Sequence, residues 1–163
     1  MKLMFGLLAF SFSSLAYAAN PFAAFSGSYL PEGAPSVVMG EGMKYCNQHN
    51  FRFNSGFEVS EVEGAYRAEL RASSSGVRLS SFIDFREYDY SDAFGVKNVA
   101  MILGGTDRAV YEVMNTSPRT ADRLSYFLQS SGDRVQLTIE TEFFEEGRRT
   151  KNCRYFVGLR KIQ

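Results

Sequence analysis

The chain has no tryptophan, one histidine, four prolines and two cysteines in 163 residues, and its 18 lysines and arginines are matched by 18 aspartates and glutamates. Each scarcity excludes something. Two cysteines cannot frame a disulfide-dense miniprotein. Zero net charge excludes a strongly basic nucleic-acid binder, and 45% apolar with 22% charged residues excludes a disordered or collagen-like chain. A Gly-x-Ser-x-Gly elbow, a phosphate-binding loop, a dinucleotide fingerprint and a histidine pair at metal spacing are all missing. No catalytic residue, cofactor or metal is therefore nominated. The lone histidine, His49 in Asn47-Gln48-His49-Asn50, reads as a polar loop or strand-end residue.

What is present begins with an export signal. Lys2 supplies a positive charge, Leu3 to Leu15 is an apolar run, and Ala16-Tyr17-Ala18 puts small residues at the positions a signal peptidase reads. The run is shorter than the ~20 residues a spanning helix needs. Residues 1–18 are expected to be cleaved, leaving 19–163 as a single domain in a periplasmic or secreted location. Such a compartment is oxidising, so Cys46 and Cys153 are expected to pair, closing a loop of 107 positions. In the chain-entropy model a loop of about 100 residues stabilises by roughly 4–5 kcal/mol.

Alternation with period two dominates the rest, placing one set of side chains on a dry face and the next in water. Tyr66, Ala68, Leu70 and Ala72 alternate with Arg67, Glu69 and Arg71. Val77, Leu79, Ser81, Ile83 and Phe85 form a second such set, and Val135, Leu137 and Ile139 a third. Asn98–Leu103 is more continuously apolar, Arg108–Met114 is mixed, and Leu124, Tyr126 and Leu128 alternate again. Turn signals recur between the runs, among them Ser73–Gly76, Gly104–Asp107, Ser131-Gly132-Asp133 and Glu145-Glu146-Gly147. No window of ten or more residues carries an apolar stripe at helical spacing, so any helix should be short. In the last hairpin, a three-residue loop at Glu145-Glu146-Gly147 would set Ile139 opposite Cys153, Leu137 opposite Tyr155 and Val135 opposite Val157, matching the apolar faces. A two-residue loop would set Ile139 opposite Arg154.

Eight or nine strands with short connections form a meander, whose edges are best removed by closure. The expected fold is all-β, an antiparallel up-and-down barrel of about eight strands, with a two-sheet β-sandwich as the alternative. Phe25-Ser26-Gly27-Ser28-Tyr29 near the first strand, with Arg154 or Arg160 in the last, resembles the lipocalin or broader calycin pattern. There a Gly-x-Trp sits beneath an arginine of the final strand, and Gly27 and Tyr29 would match it, with tyrosine in place of tryptophan. The resemblance implies a barrel that holds a small apolar ligand.

Charge is uneven. Gly147–Gln163 holds six basic residues, Arg148, Arg149, Lys151, Arg154, Arg160 and Lys161, and no acidic ones. They are expected to pair with acids such as Glu140 and Glu142 on the neighbouring strand, or to meet an anionic envelope partner. Glu58, Glu61 and Glu63 lack the spacing of a calcium loop and read as a solvated strand face, and Glu145 and Glu146 as solvated loop charge. The favoured function is a non-enzymatic exported binding module for a small apolar ligand, with Tyr66, Leu70, Leu79, Ile83, Leu137, Ile139 and Tyr155 as lining candidates. The second is a structural, interaction or inhibitor protein of the cell envelope acting through loops and the basic last strand. A small outer-membrane barrel, with the apolar face toward lipid, is less favoured because the chain lacks tryptophan for interfacial girdles, and an enzyme is the least favoured class.

Overall fold

The computed structural model describes residues 20–33, 36–39 and 54–162. It opens with one turn of 3-10 helix, Pro21–Phe25. Eleven strands follow: β1 (Gly27–Pro31), β2 (Ser36–Met39), β3 (Gly56–Val62), β4 (Ala65–Ser74), β5 (Val77–Phe85), β6 (Tyr88–Ser91), β7 (Lys97–Gly104), β8 (Arg108–Thr116), β9 (Thr120–Ser131), β10 (Arg134–Glu145) and β11 (Arg148–Lys161). All pairings are antiparallel in one sheet, ordered β5-β4-β3-β1-β11-β10-β9-β8-β7-β6, with β2 beside β11 off this path. Chain order is kept along the path except that β2 is passed over and the last strand returns to pair with the first.

Two expectations need correction. The path holds ten strands rather than eight, and it does not close, because β5 and β6 form its two ends. The strands also make one sheet, not the two of a sandwich. The undercount has a local cause: β6 is only four residues long, too short to establish a period. Between β5 and β6, ring packing and side-chain contacts replace a hydrogen-bond ladder. Phe85 meets Tyr111 of β8 edge-on at 5.3 Å between centroids, and the Tyr111 hydroxyl donates to the Arg86 carbonyl at 3.1 Å. Glu87 Oε1 accepts from the Ile102 amide of β7 at 3.0 Å, so the two-residue connector is held to the far half of the sheet.

The hairpins explain why the alternation stays in phase. Glu63-Gly64, Ser75-Gly76 and Glu146-Gly147 each have positive φ at both positions, as a two-residue I′ turn requires. The last of these corrects the expected three-residue loop, since Glu145 pairs directly with Arg148. That turn alone would have set Ile139 against Arg154 and turned one face over. A register shift at Phe143/Phe144, where Phe143 faces Lys151 and Phe144 faces Arg149, adds one residue to β11 and restores the phase. Ile139 then faces Tyr155, Leu137 faces Val157, Val135 faces Leu159, and Cys153 faces Thr141. At the end of β7, Gly104 has φ +139°, and a Cβ there would collide with the Arg108 carbonyl oxygen, so the turn into β8 accepts only glycine.

One face of the sheet forms the core. Phe57 and Val59 of β3, Ala68 and Leu70 of β4, Phe85 of β5, Tyr111 of β8, Tyr126 and Leu128 of β9, Val135, Leu137 and Ile139 of β10, and Cys153, Tyr155, Val157 and Leu159 of β11 are buried together. The 3-10 helix adds Phe22 and Phe25 to the same cluster. The opposite face carries ion pairs, including Arg67–Asp84, Arg71–Glu58, Arg123–Glu142 and Arg154–Glu140.

Candidate functional site

The core face differs between its two ends. At one end lie the start of β1, the connector between β5 and β6 and the end of β11, and here the 3-10 helix plugs the sheet. Its start is encoded locally: the Asn20 side chain accepts from the Phe22 amide at 3.0 Å and Pro21 occupies the first helical position. Phe22 then stacks on Phe85 at 3.8 Å between centroids, Phe85 meets Tyr111, and Tyr111 stacks on Tyr126 at 6.4 Å. This chain of four rings crosses the gap in the sheet. Burial, with a smaller contribution from Tyr111, pushes the Tyr126 phenol up to about 12, so it is neutral in the folded protein over the physiological range.

Beside the plug, Tyr29 donates its hydroxyl to the Phe25 carbonyl at 2.8 Å, and burial raises its phenol above the ordinary value. The cation over the Tyr29 ring is Lys161, whose Nζ lies 5.9 Å from the ring centroid and donates to the Ser26 carbonyl at 2.8 Å. Neither Arg154 nor Arg160, the arginines expected at that place, takes it. Arg160 stands opposite Leu30 in register, and Arg154 reaches Glu140. On a strand, neighbouring positions face opposite sides, so Arg160 and Lys161 cannot both turn toward Tyr29.

The other end of the core face is open. On β5, Leu79 is 62% and Val77 57% exposed, although both share the face of Phe85. On β6, Tyr88 is 44% and Tyr90 59% exposed on the face of the buried Ala100, which pairs with Tyr88. Apolar side chains of the two edge strands therefore continue the core face into solvent. Deeper on the same face, Thr141 Oγ1 is buried and has no hydrogen-bond partner among the described residues.

The seven lining candidates all lie on this face. Leu70, Leu137, Ile139 and Tyr155 are buried in the core cluster, and Tyr66 and Ile83 pack partly buried against it. Leu79 alone stands at the open end. Val77, Tyr88 and Tyr90 were not singled out by sequence. Val77 was assigned to a strand by its alternation, but its exposure comes from the missing neighbour beyond β5. Tyr88 and Tyr90 alternate over too few residues to mark a strand. Cys153 is wholly buried, while Cys46, His49 and the expected signal, 1–18, lie outside the described residues.

The basic last strand is engaged by its neighbour. Arg154 bonds both oxygens of Glu140, at 2.9 and 3.0 Å, and Arg149 meets Glu142 at 2.9 Å. Glu142 is only 4% exposed and is also held by Arg123. Burial works against its charge, but the hydrogen bonds from Arg149 and Arg123 outweigh it and hold its pKa below the ordinary glutamate value. Among the described residues no group of three or more histidine, cysteine, aspartate or glutamate side chains gathers at metal-binding distance, and no helix is long and apolar enough to cross a membrane.

No protein-family model matches the chain, and no curated protein does. Among solved structures, the chain is similar to a REP1-NXSQ fatty acid transporter, with 12% identity and a TM-score of 0.42 over 86% of this chain and 98% of that one. It is also similar to secretory abundant heat soluble protein 4 from Ramazzottius varieornatus, with 14% identity and a TM-score of 0.40 over 90% and 99% of the two chains. Likenesses this slight transfer no function. The chain itself forms an all-β antiparallel sheet, plugged at one end of its core face and open at the other.

Proposed function

We propose that the protein is an exported, non-enzymatic binding module that takes a small apolar ligand on the core face of its sheet, at the end away from the 3-10 helix. The observation that carries this reading is the exposure of Val77, Leu79, Tyr88 and Tyr90 on a face that is elsewhere buried. Such side chains gain by leaving water, at about 25 cal/mol per Å² of apolar surface covered, and the edge strands β5 and β6, which do not pair with each other, leave a way in. In this reading residues 1–18 are removed on export and Cys46 pairs with Cys153, whose full burial on β11 supports a structural rather than a redox role. An interaction protein working through the basic last strand is less well supported, because Arg149 and Arg154 already face Glu142 and Glu140. A lipid-facing barrel is disfavoured by the ion pairs on the face opposite the core.

The test is titration of the purified protein with 8-anilinonaphthalene-1-sulfonate, together with native mass spectrometry for a co-purified small molecule. The dye should bind with a blue shift, and Leu79→Asp should weaken its uptake at least about fivefold while leaving the thermal midpoint in place, since an exposed side chain adds little to stability. Absence of both dye uptake and a co-purified mass, or uptake unchanged by Leu79→Asp, would refute the reading.

A further inference from the structure

The face turned away from the core carries a groove of about 450 Å³, within the roughly 300–1,000 Å³ range of small-molecule sites. Its geometry follows from the register of three adjacent strands. Phe127 of β9, Thr138 of β10 and Phe156 of β11 stand in one row. The two phenylalanines are two strand spacings apart, about 10 Å between Cα atoms, with a short side chain between them. Two aromatic walls therefore flank a low floor. The next row is Gln129, Gln136 and Gly158, two primary amides followed by a position with no side chain. The row on the other side contains Glu140 and Arg154, joined by hydrogen bonds to both carboxylate oxygens. Arg108, opposite Gln129 on β8, lies over the Phe127 ring at 5.7 Å and forms no salt bridge among the described residues.

We propose that this groove is a saccharide site, and that it takes a hexuronate ring. A pyranose is two-sided in its chemistry: its axial C–H groups form apolar faces suited to aromatic rings, and its hydroxyls point outward around the rim, each both donor and acceptor. The two phenylalanine walls meet the faces, since an aromatic π-face is electronegative and favours C–H edges. The rim meets planar side chains able to bond two neighbouring hydroxyls at once: each glutamine amide offers a donor and an acceptor, Glu140 offers acceptors, and Arg154 donors. A purely apolar ligand would leave these groups without a role. The acid follows from charge. Arg154 is neutralised by Glu140, whereas Arg108 brings an unneutralised guanidinium to the groove, fitted to hold a carboxylate by two parallel hydrogen bonds.

Isothermal titration of the full protein with tetragalacturonate and with maltotetraose tests this. Tetragalacturonate is expected to bind with a dissociation constant below about 1 mM, with maltotetraose at least about tenfold weaker. Arg108→Gln should remove that preference. Thr138→Tyr, which raises the floor without deleting a contact, should abolish binding with the thermal midpoint preserved, and Phe156→Ala should weaken it. Dye uptake on the core face should be unchanged in all three variants, so failure here is separable from failure of the apolar-ligand reading. No binding of tetragalacturonate, equal binding of maltotetraose, or binding that survives Thr138→Tyr would overturn the proposal.

Discussion

Replacing Phe22 by alanine tests how the two ends of the open sheet are held together. Phe22 is fully buried and stacks on Phe85, the last residue of β5, which in turn meets Tyr111 of β8. Without hydrogen bonds between β5 and β6, this ring column and the connector contacts from Arg86 and Glu87 join the two halves. Truncating a buried phenylalanine costs roughly 3–5 kcal/mol, because transfer free energy is lost and the surroundings collapse only partly. Here the upper half of that range is expected, since a stacked aromatic pair worth about 0.5–1.5 kcal/mol goes with it. With an unfolding entropy of about 2.1 cal/mol/K per residue over a folded chain of about 145 residues, each kcal/mol corresponds to roughly 3 °C, so the midpoint should fall by roughly 13–16 °C. Circular dichroism melts at fixed pH, with the cysteines kept in one redox state, measure it. Phe94→Ala, at a position 85% exposed in the turn after β6, serves as control and should move the midpoint by no more than about 2 °C. A Phe22→Ala shift as small as the control's would refute the plug.

Three further outcomes are expected. Thr141→Val removes a buried hydroxyl with no partner among the described residues, and should be neutral or stabilising by up to about 1 kcal/mol in urea unfolding; a clear loss would mean that the hydroxyl is satisfied. The Glu142 carboxylate, with its pKa held down in the fold, contributes stability that is fully present above the unfolded glutamate value and is lost as pH falls through the lower folded value. Stability profiles should therefore descend on the acid side, and Glu142→Gln should shrink that descent while lowering stability at neutral pH; an acid limb unchanged in the variant would remove Glu142 as a source. If Cys46 and Cys153 are paired, reduction should cost roughly 4–5 kcal/mol by the loop-entropy model, and Cys153→Ser should respond no further to reductant; a wild-type melt indifferent to reductant would exclude the pairing.

Much of the fold was legible because a strand with one wet and one dry face must alternate, and an X-Gly pair between two such runs closes an I′ turn locally. The strands around Leu70, Ile83, Leu128, Leu137 and Val157 were readable for that reason, and so was the face shared by the seven lining candidates. That the basic last strand would meet acids of its neighbour such as Glu140 and Glu142 was also legible, since it needs only two facing strands, but which base meets which acid depends on the register.

Other features depended on residues far apart in the chain. Whether the meander closes is decided where β5 and β6 meet Phe22 and Tyr111, and no local pattern encodes that encounter. The register of the last hairpin turned on one extra residue near Thr150, which can be recognised only when both strands are laid side by side. The cation over Tyr29 is Lys161 because β1 and β11 pair Tyr29 with that residue, a partnership spanning almost the whole chain. The amino-acid sequence by itself determined which side of each alternating strand is dry, since that is a property of neighbouring residues. Only the tertiary structure decided where the dry side runs out into solvent, because exposure depends on which distant strand is missing at the edge.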